Sequence, residues 1–126
     1  MKISDLFEDI SPAELDQVER VADQLWSQYD IDVEFTRHFL DRVNDPRNGK
    51  PITPEELVAL FKKEYQEYGR DIADLDANAE AVMKDVFSKL NLPFVINDRG
   101  RERNLVAKTI MRKPNFKTSN KEFPVR

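Results

Sequence analysis

"AVMKDVFSKL", residues 81–90, is the stretch on which the fold turns. Val82, Met83, Val86, Phe87 and Leu90 recur at helical spacing, yet the same ten residues also lay out as a strand leading into the next element. Periodicity alone leaves both assignments open. As a helix, the segment leaves the chain with a two-stranded hairpin. As a strand, it makes that hairpin a small sheet.

The residues that follow are less ambiguous. In "LPFVINDRGRERNLVAKTIM" an apolar run at 92–96 precedes the polar, glycine-containing "NDRGRER", and β-branched residues return at 104–111. This pattern predicts a β-hairpin. The tail 114–126 has Phe116 and Phe123 between prolines but no period, and it is read as extended, with the capacity to supply a fourth strand.

Upstream, the pattern is helical. "SPAE" at 11–14 is a start signal: Ser11 as cap, Pro12 at the first helical position and Glu14 closing a capping box. Leu15, Val18, Val21, Ala22, Leu25, Trp26 and Tyr29 then keep helical spacing, predicting a helix over 12–29. A shorter helix is predicted over 33–43, with Phe35, Phe39, Leu40 and Val43 as its stripe. "TPEE" at 53–56 repeats the start signal, and Gly69 is the expected stop of a helix over 54–68. Residues 1–10 are read as a leader and 11–126 as one domain. The order, helices first and strands last, predicts an α+β fold: three N-terminal helices on a small antiparallel β-meander of two to four strands.

The chain has 126 residues, 40% apolar and 35% charged, as expected of a soluble globular domain. No apolar run approaches the roughly 20 residues that cross a bilayer. Cysteine is absent, which removes disulfides, thiolate metal sites and cysteine nucleophiles together. The net charge of −4 is unevenly spread. Residues 98–126 hold nine basic and three acidic residues, net +6, and the rest of the chain is net −10. A basic end on an acidic body either meets an anionic partner or pairs with the chain's own acids.

Glycines 49, 69 and 100 are isolated, so no phosphate loop or dinucleotide fingerprint is present. The acids at 30, 32, 71, 74 and 76 match no calcium loop, and neither metal nor cofactor is expected. Metal-independent acid/base chemistry remains. The one histidine, His38, stands four residues before Arg42, so the two are neighbours on one helix edge. Histidine titrates near neutrality, and arginine suits bidentate phosphate contacts. On a strand over 104–112 the pleat puts Lys108, Ile110 and Arg112 on one face and Thr109, Met111 and Lys113 on the other. RNA supplies its own nucleophile, the 2′-hydroxyl; a site that cleaves it supplies proton transfer and cations for the developing charge. The candidate catalytic residues are His38, Arg42, Thr109 and Arg112. Arg47, Lys50, Lys108, Lys113 and Lys117 are candidate nucleic-acid contacts. The competing reading makes His38 a half-buried structural residue paired with Glu34 or Asp41, and the cations solvated charges.

"HFLDRVNDPRNGKPITPEELVALFKKEYQEYG", "LNLPFVIND" and "NLVAKTIMRKPNFKT" resemble a family of uncharacterised proteins of tailed phages of marine bacteria and cyanobacteria, over about residues 33–120. More distantly, the layout resembles the barnase–EndoU–colicin–RelE group of small ribonucleases. Phage and toxin members of that group often show a His-x-x-x-Arg on an early helix, which His38 and Arg42 match, and a late strand carrying Thr with a nearby basic residue, which Thr109 and Arg112 match. The resemblance implies a phage-encoded protein of the host cytoplasm or the virion. Two functions follow as expectations: metal-independent RNA cleavage, or a non-catalytic module docking a basic hairpin on nucleic acid or on an acidic phage or host protein.

Overall fold

The structure is a computed structural model that describes residues 9–126. The leader assigned to residues 1–10 therefore lies outside the described residues, except for Asp9 and Ile10.

The first helix, α1, spans Pro12–Trp26. Its capping box forms as the sequence requires: the Glu14 N–H donates to Ser11 Oγ at 3.2 Å, and the Ser11 N–H to Glu14 Oε1 at 3.0 Å. The helix ends earlier than the predicted Tyr29, because Ser27–Tyr29 tighten into a 3₁₀ turn and Asp30 takes a left-handed conformation, φ 57°. Strand β1, Ile31–Phe35, follows. This corrects the helix predicted over 33–43: α2 is confined to Arg37–Val43. The alternation of "IDVEF", with Ile31 and Val33 inward and Asp32 out, is the period-2 signal that the helical reading of Phe35 and Phe39 overrode. The two rings still meet, stacked at 4.3 Å across the strand–helix junction.

The third helix, α3, spans Pro54–Ala73, with Thr53 and Glu56 completing a second capping box. Gly69 does not stop it. A Cβ at Gly69 would lie 3.2 Å from the Tyr29 ring, so glycine leaves room for that ring, and buried Ile72 carries the helix a further turn.

Residues 81–90 are not a helix: 81–85 lie in a strand, 86–89 form a turn and Leu90 begins the next strand. Strand β2 is Glu80–Asp85, β3 is Leu90–Arg99, β4 is Glu102–Ala107, β5 is Met111–Arg112 and β6 is Lys121–Val125. The sheet order is β1-β4-β3-β2-β6, with β5 beside β3. A meander of two to four strands is thus corrected to a mixed sheet of six strands among the described residues. Its centre, β2-β3-β4, is antiparallel, and its outer pairs β1–β4 and β2–β6 are parallel. The strand predicted over 104–112 breaks at Ala107. Residues 108–110 leave the ladder, and the chain pairs again with β3 as β5, Leu90 against Arg112.

Register places one apolar set against the helices. Val33, Leu105 and Ile96 form one row across the strands, and Leu92, Met83 and Phe123 another. All are buried in one cluster with Leu15, Trp26, Leu57 and Phe61 from α1 and α3. Trp26 meets Phe61 and Tyr65 edge-on, at 6.1 and 5.6 Å. The outer side of β1 is held by side chains of α1: the Val33 N–H donates to Asp23 Oδ1 and the Phe35 N–H to Glu19 Oε2, each at 2.8 Å. The acidic face of α1 thereby satisfies an edge strand that would otherwise be open to pairing. Within the core, Glu64 of α3 has no exposed surface. Among the described residues its Oε2 accepts only a 3.3 Å bond from the Lys84 N–H, and its Oε1 has no partner. Burial drives its carboxyl up to about 9, with Glu67 and Asp85 adding to the rise, so it is protonated at neutral pH.

Candidate anion-binding groove

Two short segments, α2 with its following loop and the irregular stretch after β4, come together to form the site. Thr36 joins them first. Its hydroxyl caps α2 by accepting from the Phe39 N–H at 3.0 Å and donates to the Lys108 carbonyl at 2.9 Å. Asn48 joins them again, beyond the far end of α2. Its Oδ1 accepts from the Arg112 N–H at 3.1 Å, and its Nδ2 donates to the Arg42 carbonyl at 3.0 Å. Both ends of α2 are therefore fixed to the chain that carries residues 108–112, and the space between is an open groove of ≈ 570 Å³.

His38, Arg42, Arg47, Thr109, Arg112 and Lys113 all line this groove, with Asp45 and Asn48. Six of the nine residues singled out from sequence thus share one surface, brought from two segments far apart in the chain. His38 is exposed, not half-buried. It bonds neither Glu34 nor Asp41; its Nε2 accepts a long 3.4 Å bond from Arg42 Nε–H. Accepting there requires that nitrogen to be unprotonated. Arg42 and Arg47 converge on a single carboxylate, Asp45, each at 2.8 Å. Lys113 has no acidic partner among the described residues.

Arg112 behaves differently from its expected role. Its side chain is only 10% exposed, and all five guanidinium donors are used. Nε–H bonds the Lys50 carbonyl, Nη1 bonds Glu56 Oε2 and the Ser88 carbonyl, and Nη2 bonds the Pro51 carbonyl and Glu56 Oε1. No donor remains for a phosphate, so Arg112 is a tie between the 50–53 loop, α3 and the β2–β3 turn. Burial raises the Glu56 carboxyl, but the hydrogen bonds and charge of Arg112 and the Thr53 N–H outweigh it, leaving Glu56 below the ordinary range.

Three other candidates lie outside the groove. Lys108 pairs with Glu80 and does not line it. The pleat predicted for an unbroken strand over 104–112 fails here because the ladder ends at Ala107. Lys50 lines a second cleft of ≈ 520 Å³ that shares Arg112 with the first. Lys117 is exposed on the connection between β5 and β6 and lines neither.

The joints of the site, Thr36, Asp45 and Asn48, were not legible as such. Thr36 carries a signal in the cap spacing before "RHFL". Asp45 and Asn48 carry none beyond their turn-forming type, because their partners are fixed by tertiary contacts. Among the described residues, no group of three or more His, Asp and Glu side chains is placed to hold a metal ion, and no helix is long and apolar enough to cross a membrane. No family model matches the chain, and neither does any curated protein or solved structure with which it was compared.

Proposed function

We propose that this groove binds the phosphate backbone of RNA. One observation carries the reading: four cationic side chains and one carboxylate surround a single open groove. With Arg112 neutralised by Glu56, the lining retains Arg42, Arg47 and Lys113 against Asp45, a local excess of positive charge on a chain that is net negative. Local excess of this kind supports phosphate affinity, since neutralised phosphates release counterions. Asp45 holds both Arg42 and Arg47 at the groove, so a phosphate competes with one carboxylate for two arginines already gathered there.

A second reading, metal-independent cleavage, is favoured by His38. It lines the groove, and among the described residues its Nε2 is engaged only by a 3.4 Å bond from Arg42, which an incoming 2′-hydroxyl can displace. In that chemistry His38 takes the 2′-hydroxyl proton as that oxygen attacks phosphorus, Arg42 and Lys113 meet the phosphorane charge, Thr109 orients the phosphate, and the P–O5′ bond breaks with the leaving oxygen taking its proton from water. Arg112 has no part in it.

The test is binding of a fluorescent 12-nucleotide RNA against salt, followed by incubation in EDTA. Arg47→Ala and Lys113→Ala are each expected to weaken binding and to flatten the log–log salt slope by about 0.7, the value of one single-strand phosphate contact. Binding that ignores both substitutions sinks the groove. RNA cut by the parent but not by His38→Ala, with equal binding, assigns cleavage; intact RNA with all variants restricts the protein to binding.

A further inference from the structure

The second cleft carries a feature that backbone binding does not use. Phe87, at the tip of the β2–β3 turn, is 87% exposed, the most exposed large apolar side chain among the described residues. Phenylalanine is among the residues most often found buried, so a ring this open is unusual. The turn that holds it is nevertheless tightly pinned. Asp85 Oδ1 accepts from the Phe87 and Ser88 N–H groups at 3.0 and 3.1 Å, and Asp85 Oδ2 pairs with Lys63 at 3.3 Å. The Val86 N–H donates to the Val125 carbonyl at 2.8 Å, the Lys89 N–H to the Asp85 carbonyl at 2.8 Å, and Arg112 takes the Ser88 carbonyl. The ring is thus presented outward by a backbone with little freedom left to withdraw it.

Its surroundings carry net positive charge, with Lys50, Lys63, Lys89 and Arg112 set against Glu56 and Asp85. Lys50, Lys63 and Lys89 line the same cleft, and of these only Lys63 has an acidic partner among the described residues. The cleft adjoins the groove of His38 through their common wall, Arg112. A protein partner would ask for a contiguous apolar patch of several hundred Å² around the ring, and here Phe87 has only half-exposed Val86 beside it on the turn. A rigid aromatic face set among lysines, next to a phosphate-binding groove, is instead the combination that holds single-stranded nucleic acid, with the cations on the backbone and the ring on a base.

We propose that Phe87 stacks on an unpaired base of an RNA strand whose backbone runs from the groove past Arg112 into the second cleft. The inference rests on the RNA-binding reading and narrows it to single strands. A duplex keeps its bases stacked on one another and offers the ring none.

The probes are fluorescently labelled ten-nucleotide oligoadenylate, the same strand annealed to oligouridylate, and inorganic polyphosphate as a base-free polyanion. The parent is expected to prefer the single strand to the duplex. Phe87→Ala is expected to bind the single strand roughly tenfold more weakly with polyphosphate affinity unchanged. Phe87→Trp is expected to restore affinity, with its exposed indole quenched by the adenylate while buried Trp26 is not. Phe87 is exposed, so these variants fold, as circular dichroism would verify. Equal oligoadenylate binding by parent and Phe87→Ala overturns stacking and leaves the groove standing. Failure of the parent to bind either polyanion overturns both. Parent self-association in sedimentation that Phe87→Ala abolishes, without change in oligoadenylate binding, makes Phe87 a protein contact and overturns stacking.

Discussion

Glu64 and Arg112 show opposite ways of burying charge. Glu64 lies in the core with one oxygen unpartnered among the described residues, and its burial keeps it protonated at neutral pH. A carboxyl whose folded pKa is raised contributes stability that is fully present below its unfolded value near 4.5 and is lost as the pH rises through about 9. Glu64→Gln keeps the shape and removes the titration. It is expected to change urea stability little at pH 4 and to raise it by at least about 1 kcal/mol at pH 8, since every tenfold difference in proton affinity between the folded and unfolded chain is worth about 1.4 kcal/mol. An equal pH dependence in parent and variant would show that Glu64 finds a solvated conformation. Arg112 is the reverse case: every donor is met, and Glu56 is held below its ordinary range. Removing the guanidinium strands a half-buried carboxylate and three carbonyls. Arg112→Ala is therefore expected to lower stability by about 2–4 kcal/mol in chemical denaturation. The Glu56 contribution is present above the unfolded carboxylate value and lost as the pH falls through the folded one, so the deficit of Arg112→Ala should shrink on acidification. A loss of RNA affinity in this variant at unchanged stability would contradict the structural role.

At the scale of elements, α2 is the sensitive piece. Seven residues are too few to be stable as an isolated helix, so its form depends on Thr36 at one end and Asn48 at the other. Thr36→Val removes both the cap and the bond to the Lys108 carbonyl while keeping the side-chain volume. The expected cost is about 1 kcal/mol, with weaker RNA binding because His38 and Arg42 lose their fixed distance from Thr109 and Lys113. Hydrogen exchange of the α2 amides should accelerate relative to those of α3; unchanged protection of α2 would show that packing of Phe39 and Val43 suffices to hold it. Strand β6 is anchored by Phe123 and Val125, both buried.

For the whole molecule, β6 completes the sheet from the end of the chain. It pairs in parallel with β2, and Phe123 packs beside Phe94 and Tyr68. Deleting residues 121–126 exposes that surface and unpairs one side of β2. Two buried side chains at about 1.5–3 kcal/mol each place the loss at roughly 3–6 kcal/mol, a large share of a small domain's stability. The truncated chain is expected to melt well below the parent by circular dichroism; a melting temperature within a few degrees would mean that β6 adds little to the core. The long return from β5 to β6 is secured by Lys84, whose Nζ donates to the Phe116 carbonyl and pairs with Glu122. The basic end therefore meets the chain's own acids in part: Lys108 pairs with Glu80, and Arg99 with Glu34, which resolves some of the charge asymmetry internally.

Local chemistry determined the helix starts. Ser11–Pro12–Glu14 and Thr53–Pro54–Glu56 cap their helices through bonds spanning three residues, so reading them needs no knowledge of the rest of the chain. The hairpin of β3 and β4 was legible for the same reason, since Gly100 and its polar neighbours make a short-range turn. The proximity of His38 and Arg42 follows from helix spacing alone. Tertiary structure decided the rest. Strand β1 exists because β4 offers it a parallel partner and α1 offers it Glu19 and Asp23, contacts that no local pattern encodes. The strand form of 81–85 depends on β3 and β6 flanking it, which is why its apolar spacing fitted two periods equally. The distinction between Arg47 and Lys113 in the groove and Arg112 in its wall likewise lay beyond composition. A cation's availability depends on which acceptors surround it in three dimensions, and for Arg112 those come from two separate stretches of the chain, 50–56 and the turn at Ser88.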